Sequence, residues 1–247
     1  MRRVLVFALL LGLFLLVQAP AWQIDSLISH FTGGALRLTR IEGTLWNGRG
    51  QLVVIDPVNR RLQPWIALEW KWLSGRLFNG ELLWRLSGDG KPAGDVAAGV
   101  GGWRADGLAL LAPARFALER IPGTFGHLGW RGDMQLETSQ WRCSWKMACT
   151  GRGSLRWAGA AVDVLRARPL GDYLLDVQGD GKKIAFDWST LAGETRISAQ
   201  GELEGRSWSL KGEVQGDPAF LQRLPSVAGQ WVRQGRDRGH YLFDLRG

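Results

Sequence analysis

From residue 36 to the end of the chain, apolar and polar side chains alternate with a period of two in run after run. Such alternation is typical of β-strands that bury one face and expose the other. The runs that show it are 36–39, 66–72, 82–87, 172–177, 184–188, 195–203, 208–214 and 241–245. Because glycine-rich corners separate them, they predict a mainly β domain built as an antiparallel meander. The sheet would be twisted, and either closed into a sandwich or left open as an apolar groove.

The N-terminal segment has a different pattern. Residues 4–17 are apolar without a charge, and a helix over 4–22 would span about 28 Å, near the thickness of a bilayer's hydrocarbon core. The arginines of residues 1–3 predict a cytoplasmic tip, with everything after the span exported. The pattern therefore indicates one transmembrane helix. The short apolar run and the small residues at 19–21 equally fit a cleaved signal peptide, so both alternatives remain open.

Two short helices and one loop are predicted in the exported part, 23–247. Apolar residues at helical spacing in 23–34 indicate a juxtamembrane helix that either lies on the membrane surface or packs on the core: Ile24, Leu27, Ile28 and Phe31. Asp217 and Pro218 begin a helix over 219–224 that Pro225 ends. Residues 87–102 are rich in Gly, Ala, Asp and Pro, which predicts a loop between two halves of the β domain 35–247, namely 35–86 and 103–247.

Composition argues against an enzyme. The 247 residues include only three histidines, His30, His127 and His240, which are far apart and lack metal-ligand spacing. The sequence holds no G-x-S-x-G, S-x-x-K or H-E-x-x-H motif. Carboxylates in predicted turns, such as Asp89, Asp95 and Asp106, are scattered. We therefore expect no catalytic residues, no cofactor and no metal site.

The net charge of +8 raises the question of an anionic partner. Arginines are spread one or two per strand, and the only dense basic segment is 233–238. Because the chain is predicted to be exported from the cytoplasm, nucleic acid is a poor candidate partner. The positive charge then indicates either attraction to anionic lipid headgroups or a plain solvated surface. The 14 tryptophans lie mostly at apolar strand positions and indicate core packing, with Trp141 and Trp145 as candidates for exposure.

Cys143 and Cys149 lie in one short segment, WRCSWKMACTG. In an oxidising compartment, a close pair of cysteines most often forms a local disulfide. The five-residue gap lets two strands fold back and brings the Cα atoms to bonding distance. Free thiols are the alternative, whereas redox catalysis would require a tighter C-x-x-C. A disulfide across a β-hairpin is predicted.

Several motifs together resemble the type II secretion system protein N family. The most specific is Ile41-Glu-Gly-Thr-Leu-Trp-Asn-Gly48, about twenty residues after the apolar segment; its motif residues are Gly43, Thr44, Leu45, Trp46 and Gly48. The stretch from Leu68-Glu-Trp70 to Leu77-Phe-Asn-Gly80-Glu-Leu82 resembles a second family segment. Cys143 to Trp157 and the ending 239–247 resemble two more.

This resemblance implies an inner-membrane protein with one N-terminal span, retained as an anchor, and a periplasmic β domain. It implies a non-enzymatic accessory role in the export of folded proteins through the outer membrane, with other inner-membrane secretion subunits as partners and without a cofactor. The alternative is an anchored periplasmic module that binds or transfers lipid in an apolar β groove.

The last strand is the predicted interaction edge, because no later segment follows it in the sequence to cover it. Its candidate residues are Tyr241, Leu242, Phe243 and Leu245. An edge strand leaves backbone N–H and C=O groups free, and these can pair with a strand of a partner.

Overall fold

The computed structural model of the protein describes residues 2–55, 61–119, 126, 128–163, 169–205, 207–221 and 232–247. The chain divides into two compact units, Met1–Ala98 and Gly99–Gly247. The division falls within the stretch 87–102. Both units are mainly β with antiparallel strand pairs, which confirms the mainly β, antiparallel part of the predicted fold class.

The first unit begins with two helices, α1 (Arg2–Val17) and α2 (Trp22–Phe31). Five strands follow, and a short 3-10 helix, Ser74–Asn79, lies between the third and the fourth. The strands are β1 (Leu36–Gly43), β2 (Asn47–Ile55), β3 (Leu62–Leu73), β4 (Glu81–Gly88) and β5 (Lys91–Gly99). They are neighbours in sequence order, as in a meander. The hydrophobic core lies where α2 covers the sheet and contains Ala21, Leu38, Leu52, Ile66 and Trp70.

The prediction of a loop over 87–102 is wrong, because β5 occupies residues 91–99. Ala93 and Ala97 lie on the same face of this strand and are buried. A Cβ atom added at Gly88 would lie 2.3 Å from Cδ1 of Ile66 and 4.0 Å from the Cβ of Ala93. Ile66 therefore leaves no room for a side chain at Gly88, and the small side chains of Ala93 and Ala97 are buried, so a close-packed strand can have the composition of a loop.

The second unit contains ten strands and two short helices, α3 (Arg115–Leu118) and α4 (Pro218–Leu221), among its described residues. The strands are β6 (Gly102–Asp106), β7 (Ala109–Pro113), β8 (Trp130–Ser144), β9 (Cys149–Val162), β10 (Pro169–Asp180), β11 (Lys183–Ala192), β12 (Arg196–Glu204), β13 (Ser207–Gln215), β14 (Val232–Gln234) and β15 (His240–Arg246). Their order in the sheet is β6-β8-β9-β10-β11-β12-β13-β15-β14, and β7 also pairs with β8. The sheet is open, not closed on itself.

The core of the second unit lies where the start of β8, the end of β9 and the start of β10 meet. Trp130, Met134, Trp157 and Tyr173 pack together there, and Trp157 stands between the rings of Trp130 and Tyr173 at 5.4 and 5.8 Å. The hydroxyl of Tyr173 donates to the carbonyl of Thr195 at 2.9 Å. Burial raises the pKa of Tyr173, so the residue stays a neutral donor.

α1, α2 and α4 overlap the three predicted helices with shifted bounds, whereas α3 was not predicted. In the described part of the chain, no helix combines the length and the apolar character needed to cross a membrane; α1 has 16 residues. In α2, Ile24 and Ile28 pack against the sheet, whereas Leu27 and Phe31 are exposed. Only Pro218–Leu221 of the predicted C-terminal helix is described, and its predicted end, including Pro225, lies outside the described residues.

Candidate functional site

The turn between β1 and β2 contains the motif residues and closes on itself. Gly43 has a φ of 94°, a conformation that favours glycine, and a Cβ there would lie 2.4 Å from the carbonyl oxygen of Asn47. The backbone N–H of Thr44 donates to that same oxygen at 2.8 Å. The hydroxyl of Thr44 accepts the N–H groups of Trp46 and Asn47 at 3.3 and 3.2 Å. The turn therefore has a defined shape that glycine and threonine both support.

Two tryptophans from neighbouring strands hold the carbonyl groups of this turn. The indole N–H of Trp70, on β3, donates to the carbonyl of Thr44 at 3.0 Å. The indole N–H of Trp84, on β4, donates to the carbonyl of Leu45 at 3.1 Å. A buried indole that finds such a partner combines a large apolar contact with a hydrogen bond. These contacts fix the turn to the sheet.

Stacked rings complete the arrangement, which we call the tryptophan joint and define as Trp46, Trp70, Trp72 and Trp84. The ring of Trp46 lies 5.1 Å from that of Trp72 and 6.3 Å from that of Trp84, nearly parallel to the latter. Gly48 makes room for the joint, because a Cβ there would lie 2.5 Å from Cζ2 of Trp70. The sequence indicated that these rings pack in a core, but it missed that the N–H groups of Trp70 and Trp84 bind the turn.

The tryptophan joint also contacts the end of the apolar helix. The indole N–H of Trp46 donates to the carbonyl of Leu16, in the last turn of α1, at 2.9 Å. This carbonyl also accepts the N–H of Ala19 at 3.2 Å, so Trp46 is its second donor and approaches it from the first sheet. Trp46 thus links the apolar helix to the first sheet.

The segment between α1 and α2 runs along the same turn. The N–H of Leu45 donates to the carbonyl of Ala19 at 2.8 Å, and the N–H of Ala21 donates to the carbonyl of Gly43 at 3.3 Å. Ala19 and Ala21 are 7% and 2% exposed. Small side chains at these positions therefore fit a close backbone contact as well as the signal-peptidase spacing considered above.

A carboxylate fastens α2 to β1. Nε and Nη2 of Arg37 donate to the carboxylate of Asp25, at 2.9 Å for the shorter contact of Nε and 2.7 Å for Nη2, and the N–H of Leu38 also donates to it at 2.8 Å. The hydrogen bonds from Arg37, followed by the one from Leu38, outweigh partial burial and hold the pKa of Asp25 below its ordinary value. The N-terminal part of α2 is therefore held to the first sheet.

The predicted disulfide is confirmed. Cys143 and Cys149 are directly paired residues of the β8–β9 hairpin, and a disulfide joins them. Their Cα atoms lie 4.0 Å apart, slightly below the usual range of about 4.4–6.8 Å. The hairpin tip beyond the bond exposes Trp145 and Met147, at 62% and 68%. The indole N–H of Trp145 donates to the carbonyl of Val100 at 3.1 Å, which positions the exposed ring. Trp141, the other candidate for exposure, is half-buried.

The prediction that the last strand is an edge is wrong for most of its residues. β15 pairs with β13 on one side, and on the other side β14 pairs with Tyr241, Leu242 and Phe243. The covering strand precedes β15 in the sequence, and the hairpin turn between them includes Gly239, with a φ of 85°. Leu245 pairs with Leu210 of β13 and lies beyond the three residues that β14 pairs.

The structure does not bring the histidines together. His30 lies on α2 against the ring of Phe31, whereas Nε2 of His240 lies 3.1 Å from Oε2 of Glu213. His127 lies outside the described residues. Within the described ranges, no group of three or more His, Cys, Asp or Glu side chains is placed to hold a metal ion.

Exposed charged side chains of neighbouring strands form ion pairs on the surface of both sheets. Cross-strand ion pairs include those of Arg49 with Glu42 at 2.6 Å, Arg85 with Asp95 at 3.0 Å, and Lys183 with Glu202 at 2.7 Å. Such exposed pairs contribute little to stability individually. Such pairing of opposite charges across strands is typical of the solvated surface considered above.

The opposite face of the second sheet is apolar and only half-buried. Cross-strand rows join Leu175 to Trp188 and Ala199, and Val177 to Phe186. Most of these side chains are neither buried nor fully exposed, and Trp188 packs against the core of the unit. An open apolar face of this kind is a candidate binding surface.

Comparison with known proteins points to one family. The model of the family "Type II secretion system (T2SS), protein N" matches residues 34–236. No curated protein and no solved structure matches the chain. The matched range covers most of the chain, including the turn Gly43–Gly48 and the disulfide hairpin. The protein therefore belongs to the type II secretion system protein N family.

Proposed function

We propose that this protein is a membrane-anchored accessory component of the type II secretion system that acts by binding and not by turnover. The segment 4–22 attaches it to the bacterial inner membrane, and the β units lie in the periplasm. The observation that carries the proposal is the tryptophan joint, because it ties the turn Gly43–Gly48 to the end of an apolar helix.

The surface of α1 supports membrane attachment. Large apolar side chains are exposed around the helix, among them Phe7 at 68%, Phe14 at 56% and Leu15 at 61%. A helix that is apolar on all sides needs lipid or protein around it. The arginines at its N-terminal end place that end in the cytoplasm by the positive-inside rule, so that the β units are exported.

The contacts of Ala19 and Ala21 favour a retained anchor over a cleaved signal peptide. Cleavage after Ala21 would remove the carbonyl of Ala19, which accepts the N–H of Leu45. It would also remove Ala21, whose side chain is part of the core of the first unit. N-terminal sequencing of the protein from membranes tests this step: a start at Trp22 would contradict it.

Photo-crosslinking in cells tests the secretion role. A photoreactive residue replaces Val100 or Arg236, both of which are exposed. We expect inner-membrane secretion subunits among the captured proteins, together with reduced export of folded substrates when the chain is deleted. Unchanged export after deletion, with no secretion subunit captured from either position, would contradict the proposal.

A lipid-binding module is the second candidate, and the half-buried apolar face of the second sheet favours it. Native mass spectrometry of the detergent-extracted protein distinguishes the two. Bound phospholipid that disappears in Phe186→Glu, but not in the outer-face control Gln178→Glu, would support lipid binding. Absence of lipid with captured secretion subunits would support the assembly role.

A further inference from the structure

The 3-10 helix between β3 and β4 exposes two large apolar side chains at its tip. Phe78 is 97% exposed and Leu77 is 50% exposed. The segment Ser74–Asn79 contains no acidic residue and carries one cation, Arg76. Exposed apolar residues beside a cation are the combination that an anionic lipid surface accommodates.

The tip is held in a defined shape. Gly80 ends the 3-10 helix with a φ of 71°, and its N–H donates to the carbonyl of Leu77 at 3.0 Å. Nη1 of Arg76 lies 3.8 Å from Oε2 of Glu81, at the start of β4. Among the described residues, nothing covers the ring of Phe78. The fold therefore presents this ring to its surroundings.

Strand register places the tip at the same end of the first sheet as the tryptophan joint. Trp72 pairs with Trp84 just before and after the tip, and the N–H of Trp72 donates to the carbonyl of Trp46 at 2.7 Å. Trp46 in turn binds Leu16 of α1. The exposed tip and the end of the apolar helix thus belong to one end of one compact unit.

We propose that Leu77 and Phe78 insert into the lipid surface beside α1 and form a second membrane contact. This inference rests on the membrane attachment proposed above. Tryptophans are enriched at the membrane–water interface, where the tryptophan joint would then lie. Two membrane contacts, α1 and the tip, would restrict the tilt of the first unit relative to the membrane. A single attachment through α1 would leave this tilt less restricted.

A fluorescent label at position 78 tests the insertion. Both native cysteines are in the disulfide, so Phe78→Cys gives the full-length chain one reactive thiol for an environment-sensitive dye. Lys91→Cys is the matched control, because it is exposed and follows the β4–β5 turn at the opposite end of the same sheet. Both labelled proteins are reconstituted into vesicles of phosphatidylethanolamine and phosphatidylglycerol.

We expect the dye at position 78 to emit at shorter wavelength and to be protected from aqueous iodide, while the dye at position 91 behaves as in water. Water-like emission at both positions in vesicle-bound protein would overturn the insertion but leave the anchor intact. Equal shifts at both positions would also overturn it. Failure of the chain to sediment with the vesicles would refute the membrane attachment and the insertion together.

Because a dye can itself partition into lipid, Leu77→Ser/Phe78→Ser provides a second measurement. The variant is compared with Ser74→Ala by limited proteolysis of vesicle-bound protein. We expect several-fold faster cleavage around residues 74–79 only in the double-serine variant. Equal cleavage rates in the two variants would count against insertion.

Discussion

Replacing Trp70 with phenylalanine tests whether the indole N–H groups hold the Gly43–Gly48 turn. Trp70 is 5% exposed and donates to the carbonyl of Thr44 at 3.0 Å. Phenylalanine keeps an aromatic ring but has no N–H group and is smaller. The lost hydrogen bond is worth about 1 kcal/mol, and the incompletely filled space adds about 1–2 kcal/mol. The first unit should therefore lose about 2–3 kcal/mol of unfolding free energy.

Amide hydrogen exchange measured by mass spectrometry assigns this loss to one unit. For amides of β2 that exchange through unfolding of the first unit, 2–3 kcal/mol corresponds to an increase in rate of about 30- to 150-fold. Peptides from β12 and β13, in the second unit, report any general effect. The matched control is Trp208→Phe, since Trp208 is 43% exposed and lies on β13.

We expect Trp208→Phe to leave exchange in β2 unchanged. If Trp70→Phe also left it unchanged, or if both variants accelerated all peptides equally, the reasoning about the tryptophan joint would be refuted. Trp70→Ala should lose more unfolding free energy, about 3–5 kcal/mol, and so exchange still faster in β2. The difference between the two variants would separate the contribution of the ring from that of its N–H group.

Three further predictions concern stability. Gly48→Ala should lower the unfolding free energy of the first unit, measured with urea, by about 1–3 kcal/mol, because the new Cβ would lie 2.5 Å from a backbone oxygen. Gly75→Ala, with open space around the new Cβ, should change it by less than about 0.5 kcal/mol, and equal effects of the two variants would contradict this. Tyr173→Phe should cost about 1 kcal/mol in urea unfolding, and no loss would show that the Thr195 carbonyl does not depend on the hydroxyl. Asp25→Asn should lower the melting temperature at neutral pH. Because the folded state lowers the pKa of Asp25 below 3.8, this stabilisation is present above 3.8 and is lost as the pH falls through the folded pKa. The difference between wild type and variant should therefore shrink in acid, and a difference independent of pH would contradict the assignment.

Much of the fold follows from local pattern. The alternation at 66–72 and 173–177 predicts strands that the structure contains in β3 and β10. The spacing of Cys143 and Cys149 leads directly to a hairpin disulfide, because the two residues are close in sequence and few conformations of so short a loop are possible. In both cases the interaction that decides the structure is local.

The errors concern features that depend on distant neighbours. The composition of 91–99 indicated a loop, but the structure contains a strand there, with Ala93 and Ala97 buried on one face. The end of the sequence indicated an edge at Tyr241, but β14 pairs with it. A strand's pairing partner is chosen by backbone hydrogen bonds, for which every residue offers a carbonyl and every residue except proline an N–H, and so the side-chain pattern does not identify it.

By itself, the sequence determined the apolar helix, the alternation of the strands, the hairpin disulfide and the motif of the Gly43–Gly48 turn. Only the tertiary structure decided that the indole groups of Trp70 and Trp84 bind that turn, and that Trp46 reaches Leu16. It also decided that Phe78 lies at the same end of the sheet. The physical reason is that periodicity encodes which face of an element is buried, whereas a hydrogen bond between residues tens of positions apart requires the register of several strands.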